Sequence, residues 1–536
     1  MIDDGSSRPA ADADRQSALL ADAQRLIVRL RTPAPWPHPV QEPIGLVETH
    51  ISWVLLTGRY AYKLPKPLNL GFLDFTSLEQ RLGDCREELR LNRRLCSDLY
   101  LDLAVVLAPA DSPRVLPAPA GGLAASEVLA WAVRMRQFPQ ESLLPAALDR
   151  GDVQTGQIDG LAHSLARFHA EAAVAPAGSV FGSPAAVLDP VRANFQALQS
   201  RIPATLAPRL DRIRQWTESR FPLLIPLIHR RQQEGRVREC HGDLHLGNML
   251  LEHGRIVVFD CLAFSPDLRW IDVISDMAFL VMDLQERRQP ELASRLLNRW
   301  LEHSGDYGGL ELWRWYVSYR ALVRAKVAAL SGDRDERGPL AAYLAVAERQ
   351  LAPASPRLLL CHGLSGSGKS HLAMRLAAAL PAIRLCSDVE RKRWFGRWGI
   401  PPQTRRHGDP YADAVSEELY LQHLPALATR LLASGFNVIV DATFLQRRQR
   451  QAMAAVAERL ALPWHLLDLR TPLPLMCDRI QRRVQTGVDP SDADLIVLER
   501  QRQQLQPLDA TERERALSIT PHTDLAEILA AIHAGP

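Results

Sequence analysis

The chain has 536 residues, a length that favours two or three domains over one. Apolar residues make up 47% and charged residues 23%, which is typical of a soluble globular protein, and no apolar run is long enough to span a bilayer. The net charge of +3 gives no bulk reason to expect a nucleic acid or a membrane as partner. Because the seven cysteines form no C-x-x-C pair and the first residues lack a secretory signal, we expect reduced thiols, no zinc site and a cytoplasmic protein.

The first 350 residues mix strand and helix patterns. Residues 1–42 predict a tail, one helix over 17–30 and a proline-rich connector. The later predicted elements are strands at 51–56 and 59–64 joined by a Thr57-Gly58 turn, a helix over 77–95, strands at 105–107 and 128–138, helices within 143–231, a strand at 257–259 and helices within 270–330. This order predicts an α+β domain over 43–350.

The remainder of the chain alternates strictly between strand and helix. Residues 351–356 predict a linker, because a buried strand at 358–361 begins directly after this proline-rich stretch. Further strands are predicted at 383–386, 437–440 and 464–469, with helical segments between them. This alternation predicts an α/β domain over 357–536 whose parallel sheet is covered on both faces.

One phosphate-binding motif stands between the first of these strands and a helix. Residues 363–370 read GLSGSGKS, the complete G-x-x-x-x-G-K-[ST] pattern of a P-loop. Its glycines allow backbone N–H groups to point at phosphate oxygens, and the helix N-terminus adds its positive end. Lys369 would bridge the β- and γ-phosphates, and Ser370 would coordinate Mg²⁺. We therefore predict a site for ATP and Mg²⁺ formed by Gly363, Ser365, Gly366, Ser367, Gly368, Lys369 and Ser370.

Acidic residues follow two of the predicted strands. Asp388 would face an acceptor hydroxyl above the sheet, and Arg391 on the same helical face could hold an anionic group of the substrate. The alternative for Asp388 is a helix N-cap. Asp441 ends the strand at 437–440, where a carboxylate would support the metal or its water; the alternative is an ordinary turn residue.

Three arginines precede a polar loop at 487–492. Arg479, Arg482 and Arg483 could close with this loop on the transferring phosphoryl group. The alternative for each of them is a solvated helix face. Of the three, we expect Arg479 and Arg483 to bind the nucleotide.

On these residues, 357–536 resembles the small P-loop kinases that phosphorylate metabolites or polynucleotide ends, such as gluconate kinases, polynucleotide 5′-kinases and zeta-toxin-like sugar-nucleotide kinases. The resemblance implies that Asp388 activates the acceptor hydroxyl, and it leaves the acceptor open. A polynucleotide acceptor would need a basic groove, for which the candidates are Arg391, Lys392, Arg393, Arg397, Arg405 and Arg406. A third hypothesis is a regulatory ATPase without any acceptor.

A second phosphate-handling segment lies at 241–248, which reads HGDLHLGN and is followed by Asp260 after an apolar strand. This arrangement is typical of a protein-kinase-like catalytic loop. Asp243 would orient or deprotonate an acceptor hydroxyl, while Asn248 and Asp260 would hold Mg²⁺ through oxygen atoms. A transition-metal site on the two histidines and a purely structural loop are the alternatives.

These residues resemble the aminoglycoside phosphotransferase and choline kinase family over 43–330. The resemblance implies a protein-kinase-like fold, with Lys63 as the nucleotide-phosphate lysine and Glu87 or Glu88 as its partner; Lys66 is the alternative lysine. The chain departs from the family pattern because no G-x-G-x-x-G loop precedes Lys63, and Cys-Leu-Ala follows Asp260. A degenerate regulatory fold is therefore the alternative to a second catalytic centre.

The whole chain resembles a bacterial two-domain family that fuses a phosphotransferase-like domain to a P-loop kinase-like domain. The segments that carry this resemblance are 50–54, 69–75 and 269–272. The sequence thus predicts an ATP- and Mg²⁺-dependent kinase that acts on a hydroxyl group of a small metabolite or sugar through its C-terminal centre, with a second kinase-type centre before it.

Overall fold

The structure is a computed structural model that describes residues 8–71, 73–119, 121, 123–332, 335, 337–402, 404–486 and 492–534, with backbone alone for 8–14 and 484–486. The predicted loop at 487–492 therefore lies outside the described residues except for Asp492. The chain forms two compact units. The first runs up to Val153 and adds Ala175–Phe181 and Arg238–Ile271; the second contains Gln154–Val174, Gly182–Val237 and the chain from Asp272 onward. The domain bounds 43–350 and 357–536 remain a prediction.

The first unit is built on an antiparallel sheet. Its elements up to residue 153 are α1 (Arg8–Leu30), β1 (Gly45–Glu48), β2 (Ser52–Leu56), β3 (Tyr60–Pro65), α2 (Leu78–Cys96), β4 (Tyr100–Leu107), β5 (Arg114–Pro117), β6 (Val128–Arg136) and α3 (Leu144–Asp149). The strands pair in the order β1-β2-β3-β6-β4-β5. The predicted Thr57-Gly58 hairpin joins β2 to β3, and Gly58 supplies the positive φ of +98° that the turn requires.

Helix α2 positions a carboxylate under this sheet. It starts with a capping box between Ser77 and Gln80, which satisfies the first amides of the helix. Its buried face includes Cys85, Glu88 and Leu91. Because a charged side chain is buried only when it has a partner, Glu88 on this face points to an ion pair.

The middle of the chain supplies helices and a second hairpin. The elements are α4 (Thr155–Glu171), α5 (Pro184–Gln199), α6 (Ala207–Gln233), β7 (Val237–Glu239), β8 (Met249–Glu252), β9 (Arg255–Val258), α7 (Pro266–Arg269), β10 (Trp270–Asp272), α8 (Val273–Glu286), α9 (Pro290–Ser304), α10 (Trp313–Leu330) and α11 (Pro339–Arg349). Strands β8 and β9 are antiparallel. The segment 241–248 thus directly precedes this hairpin, and Asp260 follows it.

The C-terminal part of the second unit contains the predicted parallel sheet. The elements are β11 (Leu358–His362), α12 (Lys369–Ala379), β12 (Ala382–Cys386), α13 (Ser387–Trp394), α14 (Asp413–Glu418), α15 (Leu424–Ala433), β13 (Asn437–Asp441), α16 (Arg447–Arg459), β14 (Trp464–Leu469), α17 (Leu473–Thr486), α18 (Leu495–Gln504), α19 (Ala510–Glu514), β15 (Ala516–Ile519) and α20 (Leu525–Ala534). The strand order is β12-β13-β11-β14-β15, and all pairs are parallel. The α/β fold is as predicted, with β15 as an additional strand.

Helix α9 is joined to this sheet at its C-terminal end. Arg393 of α13 donates from Nη2 to Glu302 O at 2.7 Å and from Nη1 to His303 O at 3.2 Å. These carbonyls belong to the last turn of α9 and have no partner within the helix. Gly305 ends the helix in the left-handed conformation. Arg393 therefore acts as a cap for α9.

Two general features complete the fold. All seven cysteines are free, and six of them are buried. Among the described residues, no helix combines the length and the apolar character that crossing a membrane requires.

Candidate active sites

The P-loop lies between β11 and α12, at the carboxyl edge of the parallel sheet. Gly363, Gly366 and Gly368 have φ values of +145°, +80° and +99°, a backbone region that favours glycine. A Cβ atom at Gly366 would lie 2.7 Å from Met476 O. The loop conformation therefore depends on glycine both for its dihedral angles and for its close packing on α17.

The polar groups of the loop fit a bound phosphate. Lys369 Nζ donates to Leu364 O at 2.8 Å, and burial lowers the pKa of Lys369, although the charge of Asp441 opposes that shift. Ser367 Oγ is buried and has no hydrogen-bond partner within the described part of the chain. Ser370 is exposed at the second residue of α12. An orphaned hydroxyl, a lysine and a helix N-terminus on one loop are the donors that a phosphate group needs.

A glutamine that no motif indicates also contacts the loop. The backbone N–H of Ser365 donates to Oε1 of Gln501 in α18 at 2.8 Å. Gln501 thus uses an amide of the kind that faces phosphate oxygens in such loops. The two residues are 136 positions apart, so no local pattern could have paired them.

The three candidate arginines separate clearly. Arg479 Nη1 donates to Gly366 O and Ser367 O, each at 3.2 Å, and so lies against the P-loop. Arg483 donates to Ala493 O, and its charge adds to the lowering of the Lys369 pKa, of which burial is the main cause. Arg482 is exposed and pairs with Asp478 one turn earlier. Of the two arginines that we predicted to bind nucleotide, Arg479 contacts the P-loop, and nucleotide binding by both stays a prediction.

The candidate acceptor residues lie on α13, at the carboxyl end of β12. Asp388 is inside the first turn of α13 and the N-cap is Cys386, so the N-cap alternative for Asp388 is wrong. Arg391 Nη1 lies 3.6 Å from Asp388 Oδ1, and the Arg391 guanidinium stands 4.7 Å from the centre of the Tyr411 ring. The two residues therefore share one face, as their spacing predicts.

An aspartate at the end of the predicted lid loop contacts the same helix. Asp492 accepts hydrogen bonds from Tyr411 Oη at 3.1 Å and from Lys392 Nζ at 2.6 Å. Burial, together with the charges of Asp388 and Asp492, raises the pKa of Tyr411. Tyr411 was not predicted, because it lies in an irregular segment with no recognisable motif.

Asp441 lies on the neighbouring strand and is buried. It is in register with Cys361 of β11, two residues before the P-loop begins. Its Oδ2 accepts two hydrogen bonds from Arg384 of β12, at 3.0 Å from Nε and 2.5 Å from Nη2. The carboxylate stands where we predicted metal support, and Arg384 is a partner that the sequence did not indicate.

In the first unit, Lys63 of β3 lies between two carboxylates. Its Nζ is 2.9 Å from Glu88 Oε1 and 2.7 Å from Asp260 Oδ1. Burial disfavours the charged form, but Asp260 and Glu88 more than offset it and raise the pKa of Lys63. Glu87 instead pairs with Arg269 at 2.6 Å. The structure thus selects Glu88 from the two predicted partners.

The alternative lysine has a different task. Lys66 Nζ donates to Glu48 Oε1 at 2.7 Å and to Thr49 O at 2.6 Å. It stabilises the turn from Thr49 to Ser52, in which Ser52 N donates to Thr49 Oγ1 at 3.0 Å. A compact turn that Lys66 stabilises therefore occupies the region before Lys63, where the family pattern has a glycine-rich loop.

The segment 241–248 is ordered around its aspartate. Asn248 Nδ2 donates to Asp243 O at 3.0 Å and to Asp243 Oδ2 at 3.2 Å. His241 uses one ring nitrogen on Phe259 O at 2.9 Å and the other on Asp243 N at 3.3 Å. Because both nitrogens of His241 have protein partners, the geometry gives no support to the transition-metal alternative. Asp260 follows β9 with a positive φ of 63°, which turns its carboxylate toward Lys63.

The donors of both centres fit a hard divalent cation. The first centre offers an amide oxygen from Asn248 and a carboxylate from Asp260, and the second offers the hydroxyl of Ser370 in α12 and the carboxylate of Asp441 at the end of β13. Oxygen ligands of this kind are those that Mg²⁺ prefers.

Comparisons with known proteins find a separate match for each candidate centre. A family model described as the phosphotransferase enzyme family matches residues 72–313, and one described as an AAA domain matches residues 358–508. An uncharacterized protein of Mycobacterium tuberculosis is 31% identical over 469 residues, which cover 84% of this chain and 89% of that relative.

Solved structures match each part separately. One is the Mycobacterium tuberculosis APS kinase in complex with AMPPNP and APS, at 21% identity over 34% of this chain and 100% of that chain, with a TM-score of 0.26. Another is a choline/ethanolamine kinase family protein from Mesorhizobium loti, at 11% identity over 61% of this chain and 95% of that chain, with a TM-score of 0.37.

Proposed function

Since this chain belongs to the family of the mycobacterial protein and is an ATP-dependent kinase with a phosphotransferase domain and a P-loop domain, we propose that its C-terminal centre phosphorylates a hydroxyl group of a small metabolite or sugar. The observation that carries the proposal is the placement of Asp388 and Arg391 on α13. This helix directly follows β12, the edge strand of the sheet that also carries the P-loop. Ligands of open parallel sheets bind at this carboxyl edge.

The residues divide the reaction between them. Lys369 and the amides of the P-loop hold the β- and γ-phosphates of ATP. Arg479, which donates to the carbonyls of Gly366 and Ser367, and Arg483 add positive charge for the nucleotide. Asp388 accepts the proton of the acceptor hydroxyl while the oxygen of that hydroxyl bonds to the γ-phosphorus. The bond from the γ-phosphorus to the β–γ bridging oxygen breaks, and ADP leaves. Ser370 and Asp441 would hold Mg²⁺, which would neutralise part of the phosphate charge.

Arg391 indicates the chemistry of the acceptor. Its side chain is buried, and its Nε has no hydrogen-bond partner within the described residues. A buried guanidinium with an unused donor is costly unless a ligand completes it. We therefore expect an acceptor with an anionic group, such as a carboxylate or a phosphate, that accepts a hydrogen bond from Arg391.

The same region argues against a polynucleotide acceptor. Arg393 is buried on the carbonyls of α9, Arg406 pairs with Glu418 at 2.7 Å and stands over the Trp394 ring, and Lys392 pairs with Asp492. Three of the six basic candidates are therefore bound to their own chain. They do not form a free cationic groove for a phosphate backbone.

The first unit supports a second kinase-type centre. Lys63, Glu88 and Asp260 are already joined, and Asn248 orients Asp243. Lys63 would bind the phosphates of a second ATP, Asn248 and Asp260 would hold its Mg²⁺, and Asp243 would orient or deprotonate a second acceptor. The joined lysine and carboxylates favour this role over a degenerate fold.

The test uses γ-labelled ATP, Mg²⁺ and a pooled metabolite extract, with a 5′-hydroxyl oligonucleotide in a parallel reaction. Wild type is compared with Lys369→Ala, Asp388→Asn and Asp243→Asn, and with Asp478→Asn as an exposed aspartate outside both centres. We expect one class of labelled small molecules to vanish with Lys369→Ala and Asp388→Asn, and another with Asp243→Asn. Label on the oligonucleotide alone, or ATP binding without any labelled product, would replace the proposal with the polynucleotide kinase or the regulatory ATPase.

A further inference from the structure

A buried row of charges runs through the second unit from α9 to the strand beside the P-loop. Arg384 of β12 donates from Nη1 to Glu302 Oε1 at 2.5 Å, and it binds Asp441 with its remaining nitrogens. All three side chains are 2% or 3% exposed. Glu302 lies on α9, within the part of the chain that matches the phosphotransferase family, whereas Arg384 and Asp441 lie in the P-loop sheet.

The row continues along α9. Arg299 donates from Nη1 to Glu302 Oε2 at 2.7 Å, so each oxygen of Glu302 has an arginine. Arg299 and Arg295 of α9 in turn contact Asp159 of α4, at 3.3 Å and 2.6 Å. The charges therefore alternate without interruption from α4 to Asp441.

Such a row needs a reason beyond stability. Removing three charged side chains from water is expensive, and well-packed apolar residues often replace a buried ion pair without loss. The carboxylates nevertheless hold Arg384 firmly, because three of its nitrogens donate to Glu302 and Asp441 at 2.5 to 3.0 Å. A fixed, fully charged guanidinium is what would hold a neighbouring carboxylate in one orientation.

The orientation of the Asp441 carboxylate matters because of where Asp441 lies. Arg384 contacts Oδ2 of Asp441 with two nitrogens, which restrict rotation of the carboxylate. Asp441 is in register with Cys361, two residues before the P-loop, and the backbone N–H of Gly363 donates to Thr443 O at 3.3 Å. Asp441 therefore lies at the edge of the sheet where the P-loop begins, so its orientation bears on the phosphate site.

We propose that Arg384 and Glu302 are positioning residues for Asp441, so that the metal-supporting carboxylate of the P-loop centre is oriented by a glutamate from the phosphotransferase-family part of the chain. This inference rests on the proposed function, because it takes Asp441 as the support of the metal or its water. Residues that hold a metal-supporting group commonly change metal affinity about 10- to 100-fold when they are altered.

The test measures binding of a non-hydrolysable ATP analogue by the full chain, once in EDTA and once across a Mg²⁺ titration. All variants carry Lys63→Met, which leaves the P-loop as the intended nucleotide site. Glu302→Gln keeps the shape of Glu302 and removes its charge; Arg384→Lys keeps the charge and removes the two-point contact with Asp441. Glu348→Gln is the matched control, because Glu348 of α11 also lies between two arginines, Arg209 and Arg212.

We expect both test variants to bind the analogue normally in EDTA and to lose roughly 10-fold in the Mg²⁺-dependent gain of affinity, with no such loss in Glu348→Gln. The unfolding temperature of each protein without nucleotide is measured alongside. A folded Glu302→Gln with an unchanged Mg²⁺ gain, or one that weakens binding equally with and without Mg²⁺, would overturn the inference. A failure of the Lys63→Met parent to bind the analogue at all would instead refute the proposed P-loop function itself, and the positioning role with it.

Discussion

Asn298 of α9 accepts a hydrogen bond at Oδ1 from the backbone N–H of Arg384, at 2.7 Å. The same amide donates from Nδ2 to Ala382 O at 2.9 Å. Because β12 is an edge strand of the parallel sheet, these backbone groups have no strand partner on that side. One side chain of α9 thus imitates a neighbouring strand, and the edge of the P-loop sheet is closed by a helix from the phosphotransferase-family segment.

The first prediction concerns this closure. Asn298→Ala leaves two buried backbone groups of β12 without partners, so we expect the free energy of unfolding to fall by about 2 to 4 kcal/mol. We also expect faster aggregation, because an unpaired edge strand can pair with another chain. Urea denaturation and light scattering at matched concentration measure the two effects.

Asn437→Ala is the control for Asn298→Ala. Asn437 also makes two hydrogen bonds to backbone, accepting from Arg357 N at 3.0 Å and donating to Leu380 O at 2.7 Å, but it lies on the inner strand β13. This variant is expected to lose stability without the increase in aggregation. Equal aggregation of the two variants would show that α9 does not protect the edge.

The sequence predicts what depends on neighbours along the chain. The P-loop, the hairpin at Thr57-Gly58 and the strands of the parallel sheet follow from local patterns of glycine and apolar residues, and the structure confirms them. Partners separated by long stretches of chain do not follow, since nothing near Arg384 indicates Glu302, and nothing near Ser365 indicates Gln501. Strand β15 was missed because it is four residues long and only partly buried, which leaves no clear periodicity.

The second prediction separates the two lysines of the first unit. All variants carry Lys369→Ala, which disables the P-loop. Lys63→Met removes the ammonium group that Glu88 and Asp260 hold. Because this is the loss of a charged hydrogen bond, ATP binding in the presence of Mg²⁺ should weaken about 10- to 100-fold. Lys66→Met removes contacts to Glu48, Thr49 and the Trp53 ring, none of which we place in the nucleotide site, and should change that affinity little. Isothermal titration calorimetry measures both.

The outcomes of that titration decide which lysine serves the nucleotide. A large loss with Lys66→Met and none with Lys63→Met would move the phosphate-binding role to Lys66. A Lys369→Ala parent that binds no ATP would indicate a first unit without a nucleotide site.

The third prediction concerns Asp84, one helical turn before Glu88 on α2. Burial, with the charge of Glu88, raises the pKa of Asp84 to about 7, while Lys63 opposes the shift. An acid whose pKa is higher in the folded state binds its proton more tightly there, so stability is lost as the pH rises from about 4 to 7 and stays lower above that. Asp84→Asn should therefore be more stable than wild type at pH 8, by up to about 4 kcal/mol, and should lose this advantage toward pH 4.

Denaturation in urea at several pH values between 4 and 8 tests this sign. Asp74→Asn is the control, because hydrogen bonds from Thr76 lower the pKa of Asp74, and this variant should gain nothing at pH 8. An Asp84→Asn protein whose stability runs parallel to wild type across the range would contradict a raised pKa.

The fourth prediction concerns the backbone of the P-loop. Gly366 has a φ of +80°, and a Cβ there would meet Met476 O at 2.7 Å, whereas Gly151 has a φ of +75° and open space around the same atom. Replacing either glycine by alanine forces an L-residue into the left-handed conformation, which destabilises the protein by about 1 to 2 kcal/mol. Only Gly366→Ala must also displace the loop from α17. In a Lys63→Met background we expect Gly366→Ala to abolish ATP binding, measured by calorimetry, and Gly151→Ala to leave it intact. Since the two variants share the dihedral strain, a loss of binding with Gly366→Ala alone would assign the effect to the position of the phosphate-binding amides; retained binding would mean that those amides do not hold the nucleotide.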